Sequence, residues 1–143
     1  MNIFLKNNIT AIAIHICVGL VLLYPYILID NRSNGRLGAF TCIAIGICTI
    51  LAFFLYFLAG RQFLSHTSNL IANAFSVAVV AIILIIVVCI RGNTLSFMAN
   101  LPLYPLGGLV SHYLRLKEEC VFAVTAMLPS MFMWIGMISK RSP

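Results

Sequence analysis

The chain has 143 residues, of which 62% are hydrophobic and only 8% charged, about a third of the charged share of a soluble globular domain. Nine Lys plus Arg and three Asp plus Glu cannot cover the surface of a water-soluble sphere of this size, so the bilayer is the expected solvent. The net charge of +6 is spread in ones and twos between apolar blocks. That placement suits turns meeting anionic headgroups; nucleic-acid binding would need clustered Lys and Arg with interleaved aromatics.

Four uncharged stretches are long enough to cross about 30 Å of hydrocarbon as helices. They are Ile9–Ile29, Leu37–Ala59, Leu70–Ile90 and Cys120–Ser139. Lys6 before the first gives it the look of a signal peptide, but the apolar run is too long and Leu23-Tyr24-Pro25-Tyr26 is a poor cleavage site. It reads as a retained helix with Tyr24 and Tyr26 at the far headgroup level and Pro25 disturbing only the last turn.

On the second stretch Gly38, Cys42, Gly46 and Thr49 recur at spacings of four, four and three, one helix face. Small side chains there allow close backbone approach. The expected use is an internal helix contact; the alternative is a face that pairs copies of the protein.

The third stretch opens with His66, Asn69, Asn73 and Ser76, a polar stripe if the helix already runs through His66. It enters from the same side as the start of the first helix, where His15 lies. His15 is therefore expected to meet Asn73 or Ser76. Such a cluster serves either as hydrogen-bonded glue between helices or as a solute or proton site, since an ionisable residue within a span is a default site hypothesis.

Thr94–Leu114 is also uncharged, yet carries Asn100, Pro102, Pro105, Gly107 and Gly108. The prolines remove backbone donors and bias Leu101 and Tyr104 away from helix. This segment is expected to dip into the membrane, to lie at its interface, or to form a broken fifth helix. In the last stretch Pro129 should bend the helix. Met127, Met131 and Trp134 share one side as packing residues. Lys117, Glu118 and Glu119 before it read as a solvated edge.

Lys and Arg do not decide orientation. With four crossings one side holds Lys6, Arg61, Lys140 and Arg141, and the other Arg32, Arg36, Arg91, Arg115 and Lys117. An even number of crossings places both termini together, here assigned to the cytoplasm.

No motif points to catalysis. The five cysteines, at 17, 42, 48, 89 and 120, form no C-x-x-C pair and no metal spacing with histidine, and the first four are expected to act as small buried apolar residues. The sequence has no H-E-x-x-H, G-x-S-x-G or P-loop, and Asp30 is its sole Asp. Ser111 and His112 are sequence neighbours, poor geometry for a nucleophile and its base on a helix. No cofactor is expected.

The expected architecture is an all-α integral membrane protein of the cell membrane, one multi-pass domain over 1–143. It is an antiparallel bundle of four transmembrane helices plus the Pro/Gly-broken re-entrant, interfacial or fifth segment. Its expected role is a non-enzymatic subunit or accessory protein that packs in the lipid bilayer with a membrane-protein partner or as a homo-oligomer. The competing role is a small oligomeric transporter or channel with a polar site near His15 and Asn73.

Overall fold

The computed structural model describes residues 2–33, 38–89 and 100–140. Among these residues all regular structure is helical: α1 Ile3–Ser33, α2 Ala39–Phe63, α3 Leu70–Phe75, α4 Ala78–Cys89, α5 Tyr104–Leu114 and α6 Glu118–Ile138. Three apolar stretches within α1, α2 and α6, namely Ile3–Arg32, Ala39–Phe63 and Cys120–Ile138, are long enough to cross a membrane. The expected boundaries at Leu37, Ile90 and Thr94, together with Arg36, Arg91 and Arg141, lie outside the described residues.

Two helices overrun their uncharged windows. α1 begins before Lys6 and continues through Pro25 to Ser33, and α2 runs past Ala59 to include Arg61. A charged side chain near a helix end can reach water along its own stem, so it marks the edge of the apolar window without ending the helix. Pro25 removes one backbone donor, yet α1 runs on past it to Ser33, so the proline lies inside the helix and not in its last turn as expected. Tyr26 is buried against the other helices, while Tyr24 is exposed.

The third stretch differs most. Residues 64–69 are not helical, and a turn at Ser76 and Val77 divides the rest into α3 and α4. The Ser76 hydroxyl donates 2.9 Å back to the Ala72 carbonyl, and Val77 N–H reaches Ala74 O at 3.2 Å, one residue short of the helical partner. Local serine bonding of this kind competes with the regular ladder. The continuous helix and the stripe running through His66 are therefore not formed.

Each long helix turns one face inward. Ala11, Val18, Leu22 and Tyr26 line the inner side of α1, and Cys48, Ala52 and Tyr56 that of α2. On α6 the buried methionines are Met133 and Met137, whereas Met127 and Met131 are exposed. The outer side of α2 presents Ile43, Ile47, Ile50 and Phe54, an apolar stripe that a soluble monomer would not leave bare.

The closest packing joins α2 to α6, which run in the same direction: Phe53 stacks on Phe132 with ring centroids 4.2 Å apart, and about two turns farther along α2 Gly60 meets Met133. A Cβ on Gly60 would lie 2.7 Å from Met133 Cα, and one on Gly136 would lie 2.9 Å from the Phe57 carbonyl carbon. Only hydrogen fits at either position. Side-chain-free crossings of this kind bring two backbones into direct dispersion contact.

Candidate functional site

The polar residues gather where the start of α1 meets the 64–69 loop and α3. Asn7 is fully buried and grips Ser65 twice: its Nδ2 donates to Ser65 O at 2.9 Å, and its Oδ1 accepts from Ser65 N–H at 3.0 Å. Beside it, Asn8 Oδ1 accepts from Val79 N–H at 3.3 Å. Asn73, also fully buried, accepts from Thr67 N–H at 2.8 Å and donates to Thr67 O at 2.8 Å. Asn69 serves as the N-cap of α3, its Oδ1 accepting from Ile71 N–H at 2.9 Å and Ala72 N–H at 3.3 Å. These contacts close the backbone groups of an irregular turn, which is what an asparagine carboxamide does well with its paired donor and acceptor.

His15 does not join this group through the expected partners. Asn73 is engaged by Thr67 and Ser76 by Ala72, while His15 Nδ1 lies 2.8 Å from the Tyr56 hydroxyl, the rings stacked at 13°. The reason is vertical register. Asn8 already stands level with Val79, so His15 two turns on is about 10 Å deeper than the α3 turn. His66 lies half-buried in the loop, off the helix that was expected to carry it. Thus Asn69, Asn73 and Ser76 share one joint, and His15 belongs to a second, deeper contact between α1 and α2.

The interrupted segment is anchored inside the bundle. Asn100, Leu101 and Leu103 are buried, and Pro102 O accepts from the Tyr26 hydroxyl at 2.8 Å. Pro102 also faces Gly19, where an added Cβ would stand 3.7 Å from the proline ring. α5 then starts with Pro105 in its first turn, a position whose missing N–H needs no partner. Gly107 lies under Phe122, whose Cδ1 would stand 2.7 Å from a Cβ there, and Tyr104 stacks on the same Phe122 ring. A Cβ on Gly108 would meet no described residue within 4 Å. Arg115 ends the helix in the left-handed region, φ 52°.

Among the described residues the small-residue face of α2 makes internal contact at Cys42 and Thr49 and none at its two glycines. Among the described residues nothing lies within 4 Å of a Cβ placed on Gly38 or Gly46. Cys42 Sγ is 3.4 Å from the Tyr113 hydroxyl, and buried Thr49 donates to Ile45 O at 2.8 Å. The close approach sits instead at Gly60 and Gly136. Sequence reading passed over both because neither belongs to a run of several small residues at helical spacing.

Pro129 is buried within α6, and the next residue ties that helix to the α3–α4 turn: Ser130 Oγ donates to Val77 O at 2.9 Å. Ser111 and His112 border a cavity of about 460 Å³ with Glu118 and Tyr104. Ser111 Oγ is turned to Gly108 O, 3.0 Å away. Among the described residues no three His, Cys, Asp or Glu side chains are placed to hold a metal ion. Of the five cysteines only Cys48 is buried; Cys42 is half-buried, and Cys17, Cys89 and Cys120 face outward, which departs from the buried placement expected of Cys17 and Cys89. No family model matches the chain, and neither the curated proteins nor the solved structures contain a match to it.

Proposed function

We propose that this chain is a cell-membrane protein with four crossings, formed by α1, α2, the α3–α4 pair and α6, and a fifth segment that dips into the bundle and returns through α5. We assign it the role of a non-enzymatic subunit or accessory protein that packs with a membrane partner or with copies of itself. The observation that carries this reading is how its interior polar groups are spent. Asn7, Tyr26, Asn73 and Ser130 each bond backbone atoms of a neighbouring segment, and Tyr56 meets His15. A solute path needs polar groups that exchange partners with the solute, whereas these hold the fold together.

The test is purification in mild detergent after crosslinking in intact membranes. The expected result is co-elution with a second membrane protein or a self-associated species; a monomer that crosslinks to nothing overturns the assignment. The transport reading keeps one supporting feature, the interrupted backbone of Asn100–Leu103 lodged against Gly19 and Tyr26. Solute or ion flux in liposomes reconstituted with the pure protein would establish it over the subunit role.

A further inference from the structure

A furrow of about 460 Å³ runs between α5 and α6. Leu106 and Val110 form one wall, Val121, Val124 and Leu128 the other, and Lys117 stands at its mouth. Among the described residues Lys117 is the one charged residue of its lining; Glu118 borders the separate cavity on the other side of α5 with His112. Lys117 and Glu118, neighbours in sequence, thus line different surfaces.

Its dimensions are those of one leaflet. From Lys117 to Leu128 along α6 is about 16 Å at helical rise, and half of a hydrocarbon core is about 15 Å. A chain anchored by its headgroup at Lys117 would end near the membrane midplane. Val124 is exposed on this wall and Cys120 lies one turn above it, so the furrow opens sideways to lipid along its length.

We propose that this furrow binds one acyl chain of an anionic phospholipid, with the lipid phosphate against the Lys117 ammonium. The apolar walls take the chain and the single basic group selects headgroup charge. The inference rests on the membrane reading, which sodium carbonate extraction of native membranes tests by itself: the protein must stay in the pellet.

Native mass spectrometry of the intact protein in detergent, titrated with phosphatidylglycerol or phosphatidylcholine of identical chains, tests the site. Wild type is expected to retain phosphatidylglycerol about fivefold better, the worth of one basic side chain near an anionic surface. Lys117→Gln should abolish the preference and Lys117→Arg should keep it. Val124→Trp, which fills the furrow from an exposed position, should weaken both lipids. Equal retention of the two lipids by wild type, an unchanged preference in Lys117→Gln, or full lipid retention by a folded Val124→Trp each overturns the proposal. Because carbonate extraction is scored separately, a protein that stays in the membrane yet shows no preference defeats the lipid site alone.

Discussion

The Tyr56 hydroxyl lies 2.8 Å from His15 Nδ1, joining α2 to α1 with both side chains buried. Interhelical hydrogen bonds in a membrane contribute modestly, because helices separated within the bilayer find other partners for the same groups. This contact is therefore a fastener whose value can be measured.

Removing it should cost little and should be shared between the two residues. Tyr56→Phe keeps the ring and is expected to lower stability by about 0.6 kcal/mol, with about 1.7 kcal/mol as the ceiling. In the double variant with His15→Phe the two losses should fall short of adding. Reversible unfolding in mixed micelles measures all four corners of the cycle; full additivity would deny the coupling.

The two kinds of glycine on α2 should separate cleanly. Gly60→Ala places a methyl against the Met133 backbone, which cannot turn aside as a side chain can. The helices must part, at a cost of about 1–3 kcal/mol, typical of overpacking. Gly136→Ala should act alike through the Phe57 backbone, whereas Gly46→Ala meets no described residue within 4 Å. Its unfolding midpoint in the same micelles should equal or exceed that of wild type, because alanine is the better helix former.

What could be read from the sequence follows from which interactions are local. Apolar runs located α1, α2 and α6, because crossing length and composition are properties of one segment. The Pro and Gly content also marked residues 100–114 as irregular, and Asn100–Leu103 does precede a short helix. The turn at Ser76 was invisible because a serine in an apolar run fits a helix equally well until its hydroxyl bonds backward. The pairing of His15 with Tyr56 depends on the vertical offset between α1 and its neighbours, which no spacing within α1 encodes. For the same reason Gly60 and Gly136 carried no signal: each acquires meaning only from the other helix.

The Asn7 carboxamide should matter more than either glycine's neighbours suggest, because it closes both backbone groups of Ser65. Asn7→Leu leaves that donor and acceptor without their partner, a penalty of about 1–3 kcal/mol for each group that stays dry. The first consequence should be local opening of the 64–69 loop. Hydrogen exchange at the Ser65 amide should accelerate in the variant while amides in the middle of α2 stay protected; equal protection at Ser65 would show that the carboxamide is dispensable.

Trp134 presents the opposite situation. Its Nε1 is buried with no hydrogen-bond partner among the described residues, although the ring packs against the apolar core. A dry indole N–H carries a desolvation cost that phenylalanine does not. Trp134→Phe gives up some contact area but removes that donor, so its unfolding midpoint should stay within about 0.5 kcal/mol of wild type or rise. Trp134→Ala loses the ring as well and should fall by about 3 kcal/mol. If phenylalanine proved as damaging as alanine, the indole nitrogen would have to be making a stabilising bond that the fold described here does not provide.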